Sequence, residues 1–139
     1  MQVITLDELC GVLSLKKVIE LTDDGKTGEV DAGNLDEAEA SAIADLDLYA
    51  VKHYTLPLPA VAAVKEFVRQ LTKCHLHFRR GVYPEEVMTL YKMLQKKLEN
   101  LSPASLGIPG VEPAAGSKSA GVAVFSADQR FPTGFMGVE

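Results

Sequence analysis

The chain has 139 residues and a mass of 15.0 kDa, the size of one domain or of a smaller domain with a tail. Hydrophobic residues make up 47 % and charged residues 24 %, which is globular material rather than a disordered polymer. A net charge of −5 argues against a general nucleic-acid binder, no apolar run reaches the ~18 residues of a membrane helix, and two cysteines are too few for a disulfide scaffold.

Thr5-Leu6-Asp7-Glu8 is a capping-box pattern, with Ile4 and Leu9 placed as a hydrophobic staple. It predicts a first helix over 6–13. Ser14 caps a second over 15–21, where Val18, Ile19 and Leu21 are apolar. Residues 22–33 are polar, glycine-rich and turn-forming. Asn34, followed by Glu37, reads as the start of a third helix. From Leu35, residues Ala38, Ala42, Leu46, Tyr49 and Ala50 recur at helical spacing, and the helix should end near Tyr54. Leu56-Pro57-Leu58-Pro59 stops it, because proline lacks the N–H and restricts its predecessor.

The fourth helix, 61–80, has the clearest pattern. Val61, Val64, Val68, Leu71, His75 and Phe78 form one stripe. Lys65, Arg69, Lys73 and Arg80 fall on the other side, and Gly81 ends the helix. Pro84, with Glu85 and Glu86 beside it, opens a fifth helix. Its apolar face is Val87, Leu90, Tyr91, Leu94, Leu98 and Leu101, and Lys96 and Lys97 complement its C-terminal dipole.

After Leu101 the periodicity is lost. Residues 102–139 hold 6 of the 11 glycines and 4 of the 7 prolines. Val122-Ala123-Val124-Phe125 has the composition of a short strand, and the rest reads as an extended arm. The expected organisation is an all-α bundle of about five helices over 1–101, then a C-terminal arm over 102–139 with at most one short strand.

Charge is segregated along the chain. Residues 1–50 carry 12 acids and 3 bases, and residues 51–101 carry 4 acids and 9 bases. Such halves can stack head to tail between copies or fold against each other. Cys10 and Cys74 lack a CxxC partner and read as reduced thiols. The N-terminus has no basic segment of the kind that opens a secretory signal.

Four constellations bear on chemistry. The loop from Asp23 to Asn34 has an EF-hand outline, with Gly28 and Val30 at the glycine and apolar positions. However, Gly25, Thr27 and Asn34 stand where calcium needs stronger oxygen donors, so the plainer reading is an acidic surface loop. Cys74, His75, His77 and His53 are zinc-type ligands, but His75 points away from the side that residues 74 and 77 share. No GxSxG, P-loop or HExxH pattern occurs, and an enzyme is not expected. The stripe of Lys65, Arg69, Lys73 and Arg80 is a solvated face, a subunit contact or a phosphate-contacting face. In the arm, Phe125, Arg130, Phe131, Phe135 and Met136 are sparse anchors of the kind that order on a partner.

The order of these pieces resembles a family of small proteins of Mu-like phages and prophages, grouped with head–tail connector (adaptor) proteins. The likeness rests on Glu20-Leu21-Thr22-Asp23 and the acidic glycine loop after it. It continues through Ala44-Asp45-Leu46-Asp47-Leu48-Tyr49 and Tyr54-Thr55-Leu56-Pro57-Leu58-Pro59, then the 61–80 helix and the segments Arg130-Phe131 and Phe135-Met136. The loop departs from the family, where Asp is common at the positions of Gly25 and Thr27.

The resemblance implies a structural protein of the virion neck, made in the bacterial host cytoplasm. It implies a homo-oligomeric ring, often a dodecamer, beneath the portal protein and above the next neck or tail component. Packaged DNA would pass through the ring. No catalytic residue, cofactor, metal or membrane comes with it. Two other readings stand beside it: a DNA-contacting helical protein using residues 65–80, and a stopper or tail-completion protein of the neck. A calcium-responsive module is a further one, resting on the 23–34 loop.

Overall fold

A computed structural model describes residues 1–102 and 107–113. These residues form five helices: α1 (Leu6–Leu9), α2 (Leu15–Thr22), α3 (Ala32–Ala50), α4 (Ala62–Arg79) and α5 (Glu85–Glu99). The fold is an all-α bundle, as the periodicity predicts. The expected strand at 122–125 and the arm anchors Phe125, Arg130, Phe131, Phe135 and Met136 lie outside the described residues.

The capping box at α1 forms in full. Thr5 accepts the Glu8 backbone N–H, and the Glu8 carboxylate accepts that of Thr5 at 2.9 Å. The helix is shorter than the expected 6–13. Beyond Leu9 the chain tightens into turns, with Gly11 and Val12 donating three residues back. This brings both Leu9 and Leu13 into the core and leaves Ser14 free to cap α2.

The start of α3 differs from the sequence reading. Asp31, not Asn34, is the cap: its carboxylate accepts the Asn34 N–H at 3.0 Å, and the helix begins at Ala32. The Asn34 amide instead donates to the Thr22 carbonyl at 2.8 Å. The helix also ends at Ala50, short of Tyr54. Tyr54 forms an isolated antiparallel bridge with Pro113, and its hydroxyl accepts the Ile108 N–H at 3.0 Å. Ile108 is buried, and the Gly110 backbone lies against Val61. Residues 107–113 therefore close over the end of the bundle rather than leaving it.

α4 is the hub, because α1, α2, α3 and α5 all pack on it. This explains a departure from its single apolar stripe. Val64, Val68 and Leu71 are buried as expected, but so are Thr72, Cys74, Leu76 and His77. A helix covered on several sides buries more than one face. Gly81 ends it at φ +70°, a conformation that side chains with a Cβ rarely adopt. α3 and α5 each run antiparallel to α4: Asp45 and Ala38 face its C-terminal half, while Leu46 lies near Val64 and Val68. Similarly, Val87 at the start of α5 meets Cys74, and Leu94 shares a groove with Ala63.

Candidate functional site

The acidic loop is a closed, self-satisfied structure. One Asp23 carboxylate oxygen accepts the Thr27 backbone N–H at 2.9 Å and the Thr27 hydroxyl at 3.0 Å. The other accepts the Gly28 N–H at 2.6 Å. The Thr27 and Gly28 N–H groups hold the Asp23 carboxyl below the usual carboxylate range. Gly28 sits at φ +84°, so the glycine of the EF-hand outline serves the turn itself.

Asp24 faces the other way. It accepts from Arg79 at 2.8 Å and from Arg80 at 2.5 Å, both at the C-terminal end of α4. The Arg79 guanidinium, followed by that of Arg80, holds the Asp24 carboxyl down at about 2. Arg79 also donates to the Leu21 carbonyl at 2.7 Å, which closes the C-terminus of α2. Asp23, Asp24 and Asp31 are thus spent on backbone N–H groups and arginines.

The zinc-type residues diverge. The Cys74 thiol lies 4.0 Å from the Val87 carbonyl, and burial pushes it up to about 11. His77 donates from Nδ1 to the Lys73 carbonyl at 2.8 Å. His75 donates from Nε2 to Asp45 at 2.6 Å. Among the described residues no three His, Cys, Asp or Glu side chains converge as a metal site.

His75, Asp45 and Tyr91 form a polar knot at the junction of α3, α4 and α5. The Tyr91 hydroxyl donates to the same Asp45 oxygen at 3.1 Å. Burial, reinforced by Asp45, pushes the Tyr91 phenol up to about 12, so it stays a donor across the neutral range. The rings of His75, Phe78 and Tyr91 meet edge to face, with centroids 5.0 to 5.9 Å apart. Ser41 lines a pocket beside His75 but makes no hydrogen bond to it among the described residues.

The basic stripe is largely paired. Lys65 reaches Glu8 at 2.8 Å, Arg69 binds Glu66 on its own helix, and Arg80 binds Asp24. Of the four, Lys73 alone makes no ion pair among the described residues. A phosphate would have to displace a carboxylate at three of these positions. The acidic N-terminal half and the basic second half therefore fold against each other within one chain: Glu8, Asp24 and Asp45 meet Lys65, Arg79, Arg80 and His75.

One structural carboxylate has no place in the sequence reading. Glu39 is only 1 % exposed. It accepts three successive backbone N–H groups, from Gln2 at 2.6 Å, Val3 at 2.9 Å and Ile4 at 3.0 Å. The signal was its position four residues after Leu35, on the apolar stripe of α3. An acid on such a stripe requires partners, and the N-terminal strand of backbone supplies them.

Among the described residues, the side chains of Glu39, Asp24, Asp45 and Tyr54 each tie separate parts of the chain together. The chain belongs to the bacteriophage Mu, Gp36 family, which it matches over residues 4–126. It is a Mu-like phage protein. Comparison with curated proteins gives no match. No helix among the described residues is long and apolar enough to cross a membrane.

Proposed function

We propose that the chain is a structural head–tail connector of a tailed phage or prophage. It acts without catalysis in the virion neck, as a homo-oligomeric ring beneath the portal that extends the DNA channel and joins head to tail. The observation that carries this reading is the family match across 4–126, which spans the whole helical bundle and enters the arm. The bundle supports it physically. Glu39, Asp45 and Tyr54 each hold a separate part of the chain in place, which suits a rigid building block. The arm beyond Pro113 carries Phe125, Arg130, Phe131, Phe135 and Met136 as docking anchors for the portal or a neighbouring subunit.

The test is genetic and uses two lesions. Deleting the gene from a Mu-like phage should give filled heads and separate tails. Truncating the chain after Pro113 should give the same, while leaving Ile108 under Tyr54 and the bundle folded. Intact tailed virions from the deletion overturn the connector reading. Intact virions from the truncation alone overturn the role of the arm.

A further inference from the structure

An apolar groove of about 270 Å³ runs between α4 and α5. Its walls are Ala63 and Phe67 on α4, and Leu90, Met93 and Leu94 on α5. Met93 is 46 % exposed, a large apolar side chain left in water with nothing described across it. Glu66 and Lys97 stand on the rim. We propose that this groove is the seat of the chain's own C-terminal segment, with Phe131, Phe135 and Met136 as the anchors, in the free subunit.

The route of the chain is the first argument. Leu101 is buried just past α5, Ile108 is buried under Tyr54, and Gly110 lies against Val61. Val61 is two residues before Ala63, so the chain is delivered to one end of the groove. Length is the second. Residues 114–124 span up to about 36 Å when extended. The groove follows α4 from Ala63 to Gln70, about 10 Å at helical rise. The segment from Phe125 onward therefore reaches any part of it without leaving its own bundle.

Chemistry is the third. The 26 residues after Pro113 hold three of the chain's five phenylalanines, and Met136 beside them. Phenylalanine and methionine suit an apolar groove with a methionine wall, because thioethers adapt to irregular gaps and favour aromatic edges. Asp128 and Arg130 precede Phe131 with one charge of each sign, and Lys97 and Glu66, the latter already holding Arg69, bring one of each to the groove. A tethered segment also needs no second molecule, so its effective concentration is high. The groove and the anchors cover each other's apolar surface before assembly, and a neck partner would compete for the arm.

The experiment uses the full chain with the photo-crosslinker p-benzoylphenylalanine in place of Phe131. Dilute heavy-isotope and light chains are mixed, irradiated and mapped by mass spectrometry. Cross-links to the 63–70 and 90–97 peptides within one chain are expected. Met93→Glu on the exposed wall, and Phe135→Asp on the arm, should each lower the yield about tenfold, since a charge seated there must be desolvated. Phe135→Asp leaves residues 1–113 unchanged, and far-UV circular dichroism matching that of the native chain checks that the bundle stands in both variants. Cross-links elsewhere, none at all, or groove cross-links joining heavy to light chains overturn the proposal. The connector reading is scored on virions and this one on the free chain, so either can fail alone.

Discussion

Glu39→Gln isolates the clamp on the N-terminal segment. The substitution is nearly isosteric, but it keeps only one acceptor oxygen. In its best orientation that oxygen faces the Val3 and Ile4 N–H groups, and the new NH2 faces the Gln2 N–H across the present 2.6 Å contact. One charge-assisted bond is lost, at about 1.5–3 kcal/mol, and two become neutral, at about 0.5–1 kcal/mol each. Relief from burying a charge returns part of this, leaving a net loss of about 2–3 kcal/mol. Urea unfolding followed by far-UV circular dichroism reads it directly, and Tm should fall by about 10–20 °C for a bundle of this size. Hydrogen exchange should show the Ile4 amide losing protection while Leu71 in α4 keeps its own. Glu37→Gln, on the exposed face of the same helix, is the control and should stay within about 0.5 kcal/mol of the native chain. If Glu39→Gln is as mild as that control, the three bonds do not hold the N-terminal segment and the argument fails.

Three further outcomes are expected. Tyr54→Phe strips the buried Ile108 N–H of its acceptor and should cost about 1–2 kcal/mol. Limited proteolysis within 107–113 should quicken, and an unchanged cleavage rate counts against the closure described for that segment. Asp24→Asn should lower Tm in a pH-dependent way. The Asp24 carboxyl lies at about 2 when folded against an ordinary 3.8, so its contribution is complete above about pH 4 and lost as pH falls through 2. The Tm difference between native and Asp24→Asn chains should therefore be flat from pH 5 to 8 and shrink steadily as pH falls from about 4 through 2; a gap that keeps its neutral-pH size at pH 2 refutes the pairing. Finally, a thiol reagent at pH 8 should modify Cys10 readily and Cys74 only as fast as the bundle opens, because Cys74 is buried with its thiol pushed up to about 11. Equal rates for the two cysteines would contradict the packing of α4 against α5.

Local patterns in the chain were enough for the all-α class, the number of helices among the described residues and most of their starts. Caps and breakers act over three or four residues, so Thr5 with Glu8, Ser14, Pro84 and Gly81 carry their message locally. The sequence also carried the acidic and basic halves, and enough motif order to point to a Mu-like phage family, which the match over 4–126 shows. Tertiary structure alone decided where those charges go. Glu8 and Lys65 are 57 residues apart and Asp24 and Arg80 are 56 apart, and no local rule links them until α1 and α2 lie along α4. The same holds for the cap of α3. Asn34 is as good a capping residue as Asp31, and the choice fell to Asp31 because the Asn34 amide is drawn to the end of α2. Glu39 and Tyr54 show the limit most plainly. Each looks like one more residue of a helix, and each binds backbone far away in sequence that only the assembled bundle brings within hydrogen-bond reach.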